Sequence, residues 1–387
     1  MDYIEQEFNV RFHYKVYFTS ALFNPSNTLL DNFFKERNTA PFQKIFFVAD
    51  RNVVDAHPHL LEEIFSYFKK FNTVHLMEDI LVIPGGEAVK NDLTLFNKIV
   101  EAVNLYNIDR HSYIAAIGGG SVLDVAGYAA SVSHRGIRHI RIPTTTLSQN
   151  DSGVGVKNGI NYFNKKNFLG TFTPPVAVFN DDQFLFTLSD RDWRSGISEA
   201  IKVALIKDAV FFDWIENNAN KLVSRDINTM NYLVRRCAEL HLLHIAGGDP
   251  FEMGSSRPLD FGHWSAHKLE QLTNFELLHG EAVVMGIALD CMYSSLSGRL
   301  PMEKAERIIQ LLFQLGFEIT HSFLQIEKDS PILSGLNEFR EHLGGRLTIM
   351  LLRDIGRGEE VHEIDTAILI EASRQLKRYS EIKTLKL

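Results

Sequence analysis

Near the start of the chain Phe8, Val10, Phe12, Tyr14, Val16 and Phe18 alternate with Asn9, Arg11, His13, Lys15 and Tyr17. A period of two predicts one long strand with a buried face, either a sheet edge that pairs with another subunit or a strand internal to the sheet. Lys44–Asp50 (KIFFVAD) and Tyr113–Gly118 (YIAAIG) are short apolar runs ending at polar or glycine residues, and they predict two further strands. Between them Leu93, Phe96, Ile99, Val100 and Val103 share one helical face. Strands alternating with amphipathic helices predict βαβ units and a parallel, Rossmann-like sheet. From about Asp190 onward long helical patterns dominate, such as Met302, Ala305, Ile308, Ile309, Leu312 and Phe313 behind Pro301. The expected fold is therefore an α/β N-terminal domain, residues 1–175, followed by a mainly α-helical C-terminal domain, residues 176–387. The break is placed near Pro174-Pro175, which interrupts helix, and a cleft between domains is a natural place for a ligand. A length of 387 residues agrees with two cores rather than one.

The formal net charge of −8 excludes a polyanion such as DNA as the main partner, so an anionic small substrate needs a local basic pocket. Cys237 and Cys291 are the only cysteines, with no CxxC, which excludes a disulfide framework and a thiolate metal site. The N-terminus lacks the basic start and apolar run of a signal peptide, and no apolar stretch reaches the ~18 residues of a membrane span. A soluble cytoplasmic protein is expected.

Gly118-Gly119-Gly120 follows a predicted strand and opens a helix that contains Asp124. Glycines there let the backbone approach a pyrophosphate, whose charge the helix N-terminus favours. A tight turn without a ligand explains the same residues equally well. Pro84-Gly85-Gly86-Glu87 with Lys90 reads as another helix-opening turn. His263 and His267 lie four apart, on one helical face, and His279 stands just before an apolar helix. Histidines with one carboxylate suit a catalytic metal that keeps open positions for substrate oxygens. Spacing leaves that carboxylate open among Glu199, Glu281 and Asp260. Ser148 to Asn161, with Asp151 and Lys157, is polar and glycine-punctuated, and Lys165-Lys166-Asn167 follows it. Lysines in such loops deliver point charges to a phosphate.

These pieces, in this order, resemble 3-dehydroquinate synthase and the other sugar phosphate cyclases. The motifs are the glycine triplet with Asp124, His134-Arg135-Gly136, Ile142-Pro143-Thr144-Thr145, Asp151 through Asn161, Lys166-Asn167, Ser198 to Lys202, Phe261-Gly262-His263 and Leu278 to Ala282. The resemblance implies metal ligands at Glu199, His263 and His279, with zinc or cobalt bound. It implies NAD contacts at Asp50, Asn52, Glu87, Lys90, Gly118, Gly119, Gly120, Asp124, Thr144, Thr145 and Lys166. Catalytic roles fall on Asp151, Lys157, Lys202, His267 and Glu281, and substrate binding on Arg135, Lys166, Asn167, Arg257 and Asp260. A homodimer is implied as well.

The departures cluster at the substrate end. Typical members place an arginine and an asparagine before the first metal histidine; here Ser256 takes the arginine's place, with Arg257 shifted by one, and Asp260 the asparagine's. An aspartate beside a substrate carboxylate is repelled, and an arginine displaced by a residue changes its fork geometry. A later lysine pair is replaced by Phe339-Arg340-Glu341-His342. The whole pattern most resembles the EboD-type branch of the superfamily. The expected activity is cyclisation of a phosphorylated ketoheptose-type sugar, with phosphate loss and transient NAD-dependent oxidation. The alternatives are an authentic 3-dehydroquinate synthase and, from another class, a metal-dependent NAD polyol dehydrogenase or a non-catalytic binding relative.

Overall fold

The computed structural model of the chain describes residues 2–37, 42–163, 165–247, 250–251, 258–342 and 345–384. The chain divides into two compact units: residues 1–143 with 156–181, and residues 144–155 with 182–387. Pro174 and Pro175 lie within the first.

Among the described residues the first unit holds eight strands and five α-helices. Its strands are β1 (Lys15–Thr19), β2 (Lys44–Asp50), β3 (His75–Ile83), β4 (Tyr113–Gly118), β5 (Arg138–Pro143), β6 (Lys157–Tyr162), β7 (Lys165–Phe172) and β8 (Ala177–Asp181). Its helices are α1 (Leu29–Glu36), α2 (Arg51–Ala56), α3 (Leu60–Lys70), α4 (Leu93–Leu105) and α5 (Gly120–Val132). Six strands form a parallel sheet in the order β1-β8-β5-β4-β2-β3, while β6 and β7 make a separate antiparallel pair. Every residue of β4 is buried, as a strand covered on both faces must be. Phe46, Val48, Ile114 and Ala116 pack with Ile99 and Val103 of α4 and Val122 and Ala126 of α5, with Phe96 and Val100 against them; of the helical face read from the sequence only Leu93 stays exposed, and Leu95 is buried instead.

The long N-terminal strand is corrected. Only Lys15–Thr19 joins the sheet, as an edge strand, and Phe8, Val10 and Phe12 remain 76%, 64% and 52% exposed. The reason lies in its neighbour. Lys15 pairs with Ala177, and two residues before Ala177 the chain reads Pro174-Pro175. Prolines cannot extend a ladder, so the β1–β8 pairing begins at Lys15.

The second unit is mainly helical. It contains α6 (Asp190–Lys207), α7 (Ala209–Asn217), α8 (Ala219–Val223), α9 (Ile227–Ala246), α10 (His263–Leu272), α11 (His279–Leu296), α12 (Met302–Gln314), α13 (Ser334–His342) and α14 (Thr366–Thr384), with a hairpin of β9 (Ile349–Asp354) and β10 (Arg357–Val361). Pro301 caps α12, whose Ala305, Ile308, Ile309 and Leu312 are buried as their spacing predicts. Helix α11 is buried on nearly every side and packs against α6, α10, α12 and α14. No helix among the described residues is long and apolar enough to cross a membrane.

Candidate functional site

In the first unit the predicted nucleotide residues gather where β2 and β4 end. β4 closes at Gly118, Gly119 precedes the helix and α5 starts at Gly120. A Cβ on Gly118 would stand 2.9 Å from Val122 Cβ, and one on Gly85 would stand 2.4 Å from both Asp50 carboxylate oxygens. Both positions therefore require glycine. Asp50 accepts from the backbone N–H of Asn52 at 2.9 Å and so caps α2. Burial pushes its carboxyl up, against backbone N–H groups of Asn52, Gly119 and Val53 that pull it down. Lys90, 4% exposed, donates to Asp124 Oδ2 at 2.8 Å and to Asn167 Oδ1. Glu87 accepts from Ser121 Oγ at 3.1 Å and Asn161 Nδ2 at 3.0 Å, with Lys166 Nζ 4.0 Å away. Asn161 Oδ1 in turn takes the backbone N–H of Asn167.

Two of the residues expected at the substrate are placed within this unit. Asn167 belongs to the Lys90 network just described. Arg135 is exposed, at φ +63°, in the short turn after α5. It lies at the far end of that helix from the glycines, roughly 20 Å along its axis. Lys157 opens β6 with an exposed side chain; its carbonyl accepts from the buried Arg141 guanidinium at 2.7 Å.

The second unit opens with Thr144 and Thr145. The buried Thr144 Oγ1 has no hydrogen-bond partner among the described residues, while Thr145 Oγ1 lies 2.9 Å from Ser148 Oγ. One turn of π-helix, Ser148–Ser152, carries Asp151, whose Oδ1 lies 2.8 Å from His241 Nδ1 on α9.

Helix α6 buries Glu199 and Lys202 a turn apart, with the ammonium in contact with Glu199 Oε2. Glu199 Oε1 lies 3.7 Å from His263 Nε2 and 3.5 Å from His279 Nε2. Each histidine begins a helix, and each has its other nitrogen engaged. His263 Nδ1 is 3.0 Å from Phe261 O, and His279 Nδ1 is 3.2 Å from Glu270 Oε2. Both Nε2 atoms thus converge on Glu199, a 1% exposed carboxylate whose two oxygens receive no well-directed hydrogen bond among the described residues despite the adjacent ammonium. Two imidazole nitrogens and an unsatisfied carboxylate are the donor set of an open zinc-type site, so these side chains fit a divalent metal.

The electrostatics follow from this crowding. Burial pushes the Glu199 carboxyl up, but Lys202 and His279 outweigh it and hold it at about 2. Burial likewise opposes the charged form of Lys202, yet Glu199 and Asp151 raise its pKa above the ordinary value, with Asp260 a smaller contributor. Burial would lower His279, but Glu270 and Glu199 bring it up to about 9. For His263, burial and the cations around it, Lys202 first, act together and keep the ring neutral.

Of the three carboxylates left open by spacing, Glu199 is the one at the histidines. Asp260 sits in the single turn Pro258–Asp260. Glu281 accepts from Arg191 Nε at 2.8 Å and Nη2 at 2.6 Å and from the Leu278 backbone N–H at 3.0 Å, so it staples the start of α11. His267 is exposed, its ring 5.3 Å from that of His263 and 5.9 Å from that of His279. His267, Glu270 and His279 also approach one another closely enough to share an ion. Glu270, however, already occupies His279 Nδ1, the arrangement in which a carboxylate orients a ligand from behind. Arg257 and Ser256 lie outside the described residues. Sequence reasoning did not find His241 and Glu270. Glu270 had a usable signal, one carboxylate on the helical face that carries His263 and His267; His241 had none.

Residues 80–195 match the family model described as 3-dehydroquinate synthase N-terminal, and residues 196–335 match 3-dehydroquinate synthase C-terminal. The chain is 37% identical over 310 residues to the 3-dehydroquinate synthase of Nitrosospira multiformis, covering 79% of this chain and 83% of that one. It is 35% identical over 305 residues to that of Dictyoglomus turgidum, covering 79% and 84%. Among solved structures, the 2-epi-5-epi-valiolone synthase ValA of Streptomyces hygroscopicus, with NAD+ and Zn2+ bound, superposes with a TM-score of 0.87 at 27% identity, covering 97% of this chain and all of that one. A 2-deoxy-scyllo-inosose synthase shares the fold, with a TM-score of 0.75 at 22% identity over 93% and 96% of the two chains.

Proposed function

The chain belongs to the 3-dehydroquinate synthase family, and on that premise we propose that it is an NAD- and metal-dependent sugar phosphate cyclase whose substrate carries no carboxylate. The observation that carries the catalytic reading is Glu199, a buried carboxylate facing two oriented imidazoles. In this reading Glu199, His263 and His279 hold zinc or cobalt, which when bound supplies a Lewis acid that makes a substrate hydroxyl more acidic. NAD, held at the glycine turn with Asp50, Glu87, Lys90, Asp124 and Lys166 beside it, supplies a hydride acceptor that is regenerated, so the conversion is redox-neutral.

The chain's own groups do the rest. Asp151 accepts a hydrogen bond from a substrate hydroxyl, its carboxylate fixed by His241. Lys202, kept charged by Glu199 and Asp151, donates to a substrate oxygen and balances the two acids around it. Lys157, Lys166 and Asn167 provide polar contacts for the phosphate, which leaves as inorganic phosphate once the neighbouring C–H has been made acidic. His267, beside both ligand histidines, is placed to carry a proton. Closure then forms the carbon–carbon bond of the carbocycle.

The substrate reading rests on Asp260 and Ser256, which stand where carboxylate-binding residues are found in typical relatives. The likeness to a valiolone synthase over 97% of the chain supports it. Identity of 33–37% to relatives named 3-dehydroquinate synthase favours the second reading, an authentic member acting on a heptulosonate. Phosphate release measured over a panel of heptulose 7-phosphates, with the carbocycle identified by mass and NMR, separates the two. Efficient turnover of 3-deoxy-arabino-heptulosonate 7-phosphate overturns the carboxylate argument, and steady NADH accumulation from a simple polyol overturns the cyclase itself.

A further inference from the structure

We propose that Asp290 positions His263 for metal binding, by holding the residues on either side of it from the neighbouring helix. The inference rests on the reading of His263 as a ligand.

Asp290 lies on α11, the helix that starts with His279, and is 2% exposed. Its Oδ2 accepts the Gly262 backbone N–H at 3.1 Å, and its Oδ1 accepts the indole Nε1–H of the buried Trp264 at 2.9 Å. One carboxylate thus grips the residue before His263 and the residue after it. Gly262 caps α10 at φ +76°, where its N–H has no intrahelical acceptor and needs one from outside. The turn has little room to adopt another shape. A Cβ on Gly262 would stand 2.9 Å from Ile287 backbone N, and one on Gly286 would stand 2.0 Å from Gly262 O. With Phe261 O holding the ring's Nδ1, the ring, the backbone before it and the side chain after it are each tied down.

No cation pairs with Asp290 among the described residues; burial pushes its carboxyl up to about 7, against the Trp264 and Gly262 N–H groups that pull it down. An acid buried without a counter-charge is costly. Holding the ligand turn is the work that accounts for its presence there.

The test measures zinc affinity, by competition with a chromophoric chelator, on metal-free full-length protein. Asp290→Ala is expected to weaken zinc binding about 10- to 100-fold. Asp290→Asn keeps an oxygen for one of the two N–H donors and should recover part of that loss. Trp264→Phe removes one donor and should fall between Asp290→Asn and the parent. Ile309→Ala, buried on α12, serves as the stability control and should lower the melting temperature with zinc affinity unchanged. If the parent binds zinc and Asp290→Ala or Asp290→Asn binds it equally well, the role of Asp290 is overturned. It is overturned equally if Ile309→Ala weakens binding as much. A parent that binds no zinc overturns the metal site itself, a separate failure from that of Asp290.

Discussion

Zinc added to the metal-free protein at pH 7.5 should expel about one proton per ion bound. Three side chains contribute, and each has a defined state beforehand. Glu199, held at about 2 by Lys202 and His279 against its own burial, has no proton to lose. His263, driven neutral by burial and by Lys202, has none on the nitrogen facing Glu199 that a metal would need to displace as charge. His279, raised to about 9 by Glu270 and Glu199 in spite of burial, carries its extra proton in a ratio of roughly 30 to 1 at this pH. Metal and proton therefore compete for one site. Between pH 7 and 9 the apparent affinity should rise about tenfold per unit, about 1.4 kcal/mol, and level off above 9. Calorimetric titrations in two buffers of different ionisation enthalpy count the protons directly. Release of none would mean that His279 is neutral beforehand or is not a ligand; a second proton still released below pH 7, where a zinc-bound water keeps its proton, would mean that His263 is charged. Either count refutes the reasoning.

The same raised pKa makes the metal-free fold sensitive to pH. The stability from charged His279 is fully present below its unfolded value near 6.5 and is lost as pH rises through about 9, so the metal-free melting temperature should fall over that window; a flat profile would count against it. Glu270→Ala removes the acceptor behind His279 and should cost roughly 10- to 100-fold in zinc affinity, with Glu270→Gln costing less because an oxygen remains; chelator competition reads both. Lys90→Met strips Asp124 and Asn167 of their shared ammonium and should destabilise by about 1–3 kcal/mol in urea unfolding, whereas a neutral result would show that water replaces it. Gly196→Ala would bring a methyl within 2.5 Å of the Thr146 carbonyl carbon, which should cost about 1–3 kcal/mol by overpacking in the same assay.

What could be read beforehand depended on how local each signal was. The glycine turn and the helical faces at 93–103 and 302–313 follow from neighbours in sequence, and the fold buries most of each face, leaving Leu93 and Met302 exposed at the helix starts. Alternation at Phe8–Phe18 was just as clear but misleading. A strand exists only where another backbone meets it, and the partner's reach was limited by two prolines more than 150 residues away. Glu199 looked ordinary within an amphipathic helix, and family likeness rather than spacing singled it out. Glu270, His241 and Asp290 matter through contacts made across helices, to His279, Asp151 and the Gly262 turn. For His241 and Asp290 nothing nearby in the sequence announces such contacts; for Glu270 the only sign is its place on the helical face of His263 and His267.

Residues 144–155 belong to the second unit although they are made between two strands of the first. The nascent chain must therefore hold this segment in waiting. Thr146 Oγ1 meets its acceptors, the carbonyls of Asp192 and Trp193, only when the start of α6 emerges, and Asp151 waits for His241, roughly 90 residues later. At ordinary rates of synthesis that interval is on the order of 10 s, during which the polar turn at Ser148–Ser152 lacks its final neighbours on α9. It also follows that the second unit cannot be excised by a single cut. A fragment starting at Asp182 would keep Glu199, Lys202, His263 and His279 yet lack Asp151, and with it the carboxylate that His241 is placed to hold.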